Sequence, residues 1–465
     1  MARLVTSDGH VLNLAVRLAA AFGPSILAKR PLRIDRKRAF ELIRDLSAAS
    51  FEYPASNKKR RPNPDRLPSE DSNWYRHYVA ITPEKRARLL DRTTRVAKQF
   101  HFRFRMWYEI WSEFMDYIRS KDPFPSFGGV SASGKLGHPL ELYVLGALRV
   151  LGRHHTFDDL EENTEISAER HRVFFHRFIE FGSTTLFTEW ICKPSTPEEV
   201  TDCMFDYAQA GFPGCLGSVD STYFWHIMCR AGLRNQMESK EARAVVRVNF
   251  VVNHSRKILS CTPVFKGVLN DISIANYDPF LQELRSGSNP LFDIDFDLRT
   301  ANGGTVTEHG LYLICDGGYN KWRILMTGDN VWSDPVNVQW RKRLESLRKD
   351  VECLNGILKA RWKILQAGIR LHSISDVQKI VHTCAALHNM LLVKDGLDSS
   401  FNPHREPSLA CTQEDIDFFE RLDRDYDNDE LAAELAGSKG EMEDVGFRQR
   451  RSRLIEHYAL TKTNE

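Results

Sequence analysis

The rhythm of hydrophobic and polar positions changes along this chain, and the changes divide it into parts. Leu32, Phe40, Leu42, Ile43 and Leu46, separated by charges, predict a helix over 30–50. Residues 53–73, rich in Pro, Asn, Ser and Arg, read as a flexible linker. Thr82 before Pro83 marks a helix start, and a long helical stretch is expected to run to about Arg119. Its later part, Phe100 to Trp111, is dense in aromatics and Arg. Most of those rings are assigned to a core, with base or phosphate contact the lesser alternative. After a Pro/Gly/Ser-rich break at 123–134 come three shorter helical patterns, opening at His138-Pro139, at Thr156 with Asp159 in the capping-box position, and at Ser167.

From Gly214 the period shortens to that of strands. Cys215–Val219 is an apolar run expected to end at Asp220. Ala244–Val252 is strongly β-branched, Asn253–Arg256 is a turn, and Lys257–Phe265 can return as its hairpin partner. Tyr312–Cys315 is a buried strand ending at Asp316. Helices are expected over 339–362 and 375–393. Hairpin strands, a further strand and then helices predict an α/β fold, a mixed sheet flanked by helices behind an all-helical N-terminal region.

Composition changes this picture little. A hydrophobic fraction of 42% and a charged fraction of 27% over 465 residues are ordinary for a globular protein. The net charge of +2 hides a strong asymmetry: residues 1–122 hold 25 Lys/Arg against 14 Asp/Glu, and residues 413–444 hold 13 acids against 3 bases. A basic front suits a polyanion such as DNA, and an acidic stretch suits a solvated tail. The nine cysteines, all beyond residue 191, show no Cys-x-x-Cys spacing, which argues for reduced thiols in an intracellular protein; Cys215, Cys261, Cys315, Cys353 and Cys384 read as small core residues. His226 and Cys229 lack a second pair, so zinc is not expected. No membrane span is expected. Residues 1–30 are nearly free of acids, as a mitochondrial leader would be, but Lys58, Lys59, Arg60 and Arg61 fit a nuclear import signal better, so the nucleus, shared or not with the cytoplasm, is the expected location.

The candidate chemistry lies in three acids. Asp220 and Asp316 each close an apolar run. Glu352 lies on a helix whose buried stripe is Leu344, Leu347, Val351, Leu354 and Leu358. Glu345, Arg348, Glu352, Asn355 and Lys359 fall on a different, polar stripe, so Arg348, Asn355 and Lys359 are candidate phosphate contacts beside Glu352. Taken singly, each acid is more simply a turn, a cap or a solvated helix residue. Taken together, they form a carboxylate set for divalent metal. Two unit charges about 4 Å apart repel by about 4 kcal/mol at an effective dielectric near 20, so such a cluster needs a cation or a retained proton. Asp271, after Asn270, either caps the next helix or assists this site. The short helices at 156 and 167 resemble a helix-turn-helix, which makes His171, Arg172 and Arg177 candidate DNA contacts.

Five short motifs in order carry a resemblance. They are Gly214–Asp220 followed by Trp225 and Cys229, Val251–Arg256 followed by Asn270-Asp271, Cys315–Tyr319, Arg348–Leu365 and Cys384–Met390. Over roughly residues 100–393 the chain resembles PIF/Harbinger-type transposases, most closely their plant-transposon-protein branch. Gly267-Val268-Leu269-Asn270 departs from that family, which more often has Gly-Ser before the Asn. The resemblance implies an RNase H-like endonuclease domain of the DDE superfamily, with Asp220, Asp316 and Glu352 as catalytic metal ligands. Two Mg²⁺ or Mn²⁺ ions are the implied cofactor. Double-stranded DNA, a Myb-like DNA-binding protein and a second copy of the chain are the expected partners. The expected division is a basic, partly disordered region at 1–82, a helical domain with the helix-turn-helix-like segment at 83–205, the endonuclease domain at 206–400 and an acidic, mostly disordered tail at 401–465. The expected function is phosphodiester cleavage and strand transfer at element ends. The alternatives are a domesticated nuclear factor that binds DNA or protein without cutting, and a nuclease acting on RNA or branched DNA.

Overall fold

A computed structural model describes residues 3–5, 11–13, 67–129, 137–238, 243–328, 334–396, 444 and 446–462. The helix expected at 30–50, the basic cluster Lys58–Arg61 and most of the acidic stretch lie outside the described residues. The chain divides into two compact units, Met1–Arg66 and Leu67–Glu465. In the first, the described part is one antiparallel pair, β1 (Arg3–Val5) and β2 (Val11–Asn13).

The second unit begins with helices. The long helix expected from Pro83 to Arg119 is three helices instead: α1 (Pro83–Leu90), α2 (Arg95–Phe104) and α3 (Tyr108–Lys121). The breaks have local causes. Asp91 Oδ1 accepts from the backbone N–H and the hydroxyl of Thr93, and Thr94 caps α2 by accepting from Ala97 N–H. Such short side-chain bonds compete with the helical ladder. Arg105 then ends α2 in the left-handed region at φ 61°. Phe100, Phe104, Trp107, Tyr108 and Trp111 are buried, with edge-on ring pairs such as Tyr78–Phe104 at 5.3 Å, so the core assignment of these aromatics holds. Phe102 is the exception, 53% exposed.

Three more helices follow as expected: α4 (Leu140–Arg153), α5 (Phe157–Thr164) and α6 (Ala168–Phe181). Thr156 and Asp159 form the reciprocal capping box, and Ser167 caps α6. After them, α7 (Pro197–Gln209) leads to the sheet.

The sheet is mixed and flanked by helices. Its strands are β3 (Cys215–Trp225), β4 (Val245–Val252), β5 (Ile258–Cys261), β6 (Phe265–Lys266), β9 (Tyr312–Cys315) and β10 (Leu325–Met326). The order is β10-β9-β3-β4-β5, with β6 also on β4. β3, β4 and β5 form an antiparallel meander, while β9 and β10 join parallel on the other side of β3. β3 does not stop at Asp220 as expected. Its polar half, Ser221–Trp225, stays paired with β4, from Ser221 opposite Asn249 to Trp225 opposite Val245. A separate hairpin, β7 (Asp295–Arg299) with β8 (Thr305–His309), was not expected.

Between β6 and β7 lie α8 (Asp271–Tyr277) and α9 (Pro279–Ser286); after β10 come α10 (Pro335–Arg361), α11 (Lys363–Ala367) and α12 (Ile374–Lys394). One sheet face, with Phe224, Val246, Val248, Phe250 and Val252, shares a core with α10, α12 and the N-terminal helices. The other, with Leu216, Val219, Val251 and Leu313, packs on α7 and α9. Cys384 and Cys315 are buried in these two cores, and Cys215 in a third with Tyr207, Trp340 and Phe447. Cys261 is only partly buried and Cys353 is exposed, correcting the expectation for those two.

The end of the chain departs from the expected tail. Residues Phe447–Lys462 form α13, which buries Phe447, Arg450 and Leu454. Arg450, 1% exposed, pairs with Glu308 Oε2 at 3.0 Å and donates to the carbonyls of Arg323 and His309. Glu308, 2% exposed, also takes Arg323 at 2.9 Å and Arg453 at 2.6 Å. A helix held by buried charge presents only a thin apolar stripe, which is why the sequence pattern hid it.

Candidate active site

The sheet register brings the first two acids together. In the parallel pair of β3 and β9, Val219 lies opposite Cys315. One residue further, Asp220 stands on the central strand beside Asp316, just past the end of its neighbour. Asp220 also pairs with Phe250 of β4, on the face that α10 covers. Glu352 projects from α10, where Arg348 on the same helix holds it and Glu345. Arg348 bonds Glu345 at 2.8 Å and Glu352 at 2.5 Å.

The electrostatics of these groups are coupled. Burial pushes the Asp220 carboxyl up to about 8, and Asp271, Asp316 and Glu352 push in the same direction while Arg348 opposes them. Like charges in a poorly solvated place favour the protonated form. Burial likewise raises Asp271; the Arg247 guanidinium opposes that rise and Asp316 adds to it.

Each carboxylate is held by its own local structure. Asp316 Oδ1 accepts from Gly317 N–H at 2.7 Å and Oδ2 from Gly318 N–H at 3.3 Å. Gly318 lies against both acids. A Cβ there would lie 3.1 Å from Asp316 Oδ2, a tight contact, and 3.7 Å from Asp271 Oδ2, an ordinary one. Asp271 is not the cap of α8. Asn270 caps it, accepting from Ser273 N–H at 2.8 Å, and Asp271 is left to pair with Arg247 at 2.8 Å. Asn270, the other auxiliary candidate, is thus the cap of α8, and Asp271 stands near Asp316 as a fourth carboxylate of the candidate site.

A buried network fixes α10 two residues before Glu352. Asp350, 4% exposed, accepts from the Tyr207 hydroxyl at 3.2 Å and pairs with His254 Nδ1 at 2.7 Å; Arg256 lies 3.6 Å away. Sequence reasoning missed both Asp350 and Arg247, though each left a signal. Asp350 falls among Leu347, Val351 and Leu354 on the apolar stripe, and Arg247 is the one charge in a β-branched run.

Among the described residues, no three His, Cys, Asp or Glu side chains stand close enough together to hold a metal ion. The donor set nevertheless suits a hard cation, since it consists of carboxylates. Asn355 Oδ1, one helical turn from Glu352, is buried and has no hydrogen-bond partner. An orphaned buried oxygen beside crowded carboxylates is a place for a cation or its bound water.

The other candidate contacts separate. Lys359 lies over the Tyr223 ring at 5.0 Å, against the far half of β3. His171 is not a DNA contact: it is 2% exposed and bonded to Thr164 Oγ1 at 2.7 Å, and burial drops it to about 3. Arg172 is exposed but bonded twice to Glu169, at 2.7 and 2.8 Å, and Arg177 is exposed on the same helix. No helix among the described residues is long and apolar enough to cross a membrane.

Comparisons with curated proteins and with solved structures return no match. Residues 192–399 match the family described as plant transposon protein. The matched stretch contains all four carboxylates, so the site-bearing part of this chain is similar to transposase-related proteins.

Proposed function

We propose that this chain is a Harbinger-type DNA transposase, a metal-dependent endonuclease with an RNase H-like domain. In this reading Asp220, Asp316 and Glu352 hold the metal and Asp271 assists. The observation that carries it is geometric: Val219 stands opposite Cys315, so Asp220 and Asp316 follow on neighbouring strands, and Asp316 and Asp271 both border Gly318. Carboxylates gathered in this way favour a retained proton or a bound cation at neutral pH. The strand order supports the fold, with an antiparallel meander extended by two parallel strands and acids on the two central neighbours.

Two Mg²⁺ or Mn²⁺ ions, when bound, would polarise the phosphodiester and lower the pKa of an attacking water or 3′-hydroxyl. The chain's own residues do the positioning. β3 and β9 fix Asp220 and Asp316, the Gly317-Gly318 turn aims the second, and the Asp350 network seats the turn of α10 that carries Glu352. Arg348 supplies an internal positive charge. Asn355 and Lys359, on the same helix, are proposed phosphate contacts. The proposed setting is the nucleus, with a Myb-like partner and a second copy of the chain as candidate associates. The test is cleavage of a duplex carrying the element's terminal repeat with Mg²⁺ or Mn²⁺. Wild type should nick it and Asp316→Asn should not; equal cleavage by both would exclude this triad.

One observation favours a second reading. Glu352 is bonded to Arg348, so its carboxylate already has a cationic partner within the chain. A nuclear DNA- or protein-binding factor that no longer cuts would show salt-sensitive DNA binding and no divalent-metal binding.

A further inference from the structure

The N-terminal helices carry a cluster of like charge that the carboxylate site does not use. On α2, Arg95, Lys98 and Arg103 are exposed, and the helix contains no acid. Arg149 and Arg153 on the last turns of α4 join them. Arg149 donates to the carbonyl of Arg103 at 3.2 Å, which ties the two helices at this point. Among the described residues none of these five cations forms an ion pair, and the Arg149 Nε is buried without a partner. Burial, then Arg153 and Arg103, pushes Arg149 down to about 10. The nearby acids are engaged elsewhere: Asp159 in the α5 capping box and Asp91 with Thr93.

At the centre stands Phe102, the exposed member of an otherwise buried aromatic run. The Arg153 guanidinium lies 4.2 Å from its ring centroid, and that of Arg105 lies 5.4 Å away. An exposed ring is a platform that holds such forks in place at little entropic cost. Beside it, Thr93, Arg95, Lys98, Gln99 and Phe102 line a shallow cleft. The patch also adjoins the element that leads from the site. α10 runs from Glu352 to Arg361, about 14 Å along its axis at 1.5 Å per residue. It is followed by α11, which packs on α4.

We infer that the α2–α4 face is a clamp for the phosphate backbone of duplex DNA, formed by Arg95, Lys98, Arg103, Arg149 and Arg153 around Phe102. Arg103 donates to the Tyr78 hydroxyl and Arg149 to the Arg103 carbonyl, but neither meets an acid; guanidinium forks without a carboxylate partner match phosphate oxygens, and placing a polyanion there relieves the mutual repulsion. The inference rests on the functional reading only in taking the polyanion to be DNA. Contact is thereby assigned to the acid-free helix α2 rather than to α6, where Arg172 is offset by Glu169 and His171 is buried.

The test uses the full chain in chelator, with a short fluorescein-labelled duplex titrated over a range of salt. Arg95→Glu/Lys98→Glu should weaken binding by about tenfold or more, and the slope of log K against log salt should shrink by about 2. Phe102→Ala, which changes no charge, should weaken it about threefold. Arg172→Glu/Arg177→Glu should lose much less. Circular dichroism checks that each variant keeps its helices. If Arg95→Glu/Lys98→Glu and Phe102→Ala bind with wild-type affinity and slope, the clamp is overturned, whatever the cleavage assays give. If they lose binding while Asp316→Asn still cuts, the clamp stands and the carboxylate reading falls.

Discussion

Two carboxylates in this fold, Glu308 buried and Asp220 half-buried, meet opposite surroundings. Glu308 sits under α13 with three arginines bonded to it. Burial works to raise its pKa, but the bonds from Arg323, Arg453 and Arg450 outweigh that and hold it below the usual carboxylate range. Asp220 sits on the central strand with one arginine in reach and three other acids, and it is pushed up to about 8. The first cluster is neutralised from within, so it behaves as a clasp that fastens the end of the chain. The second is neutralised only in part, by Arg247 at Asp271 and Arg348 at Glu352, and a proton or cation from outside would complete the balance. Burial alone does not mark a functional acid; unbalanced burial does.

The comparison can be broken first by activity. Glu352→Gln should lower metal-dependent cleavage by about 10³-fold or more, on the order of 4 kcal/mol of barrier. Glu308→Gln should leave cleavage per folded molecule unchanged. Equal losses in a nicking assay would erase the distinction between clasp and site. Next comes stability. Arg450→Ala removes a buried partner and leaves Glu308 under-compensated, at a cost of about 3–5 kcal/mol in denaturant unfolding. Arg453, whose side chain is 32% exposed, is the weaker rim of the clasp, and Arg453→Ala should cost only about 1 kcal/mol.

The pH dependences should also run in opposite directions. Glu308 has a lowered folded pKa, so its contribution is present above the unfolded value near 4.5 and is lost on acidification through the folded one. Asp220 has a raised folded pKa, so the native state holds the extra proton and loses stability as pH climbs from 3.8 toward about 8. In chelator, Asp220→Asn should therefore melt about 5 °C above wild type at pH 8 and close to it at pH 4. An Asp220→Asn melting curve that tracks wild type at every pH would show that the cluster carries no charge strain.

How much of this was legible in the sequence follows from what fixed each residue. Asp316 was readable because a four-residue apolar strand and two glycines bracket it. The position of Asp220 within a strand was not, because Ser221, Thr222 and Tyr223 look like a turn and remain extended only through pairing with β4. The break between α1 and α2 lay in Asp91-Arg92-Thr93-Thr94, a capping signal hidden in an otherwise helical run. α13 was missed because the residue at the centre of its buried stripe is Arg450. A helix that docks through charge carries almost no hydrophobic period. Asp350 and Arg247 were each visible as a charge on an apolar pattern, and a charge placed there needs a buried partner.

The most direct measurement is a calorimetric titration of the full chain with Mn²⁺ at neutral pH, beside Asp316→Asn. Wild type should bind with measurable heat and release of protons, and Asp316→Asn should bind at least about tenfold more weakly. Identical isotherms for the two proteins, or no binding by wild type at millimolar Mn²⁺, would contradict the claim that these carboxylates are assembled to hold a metal.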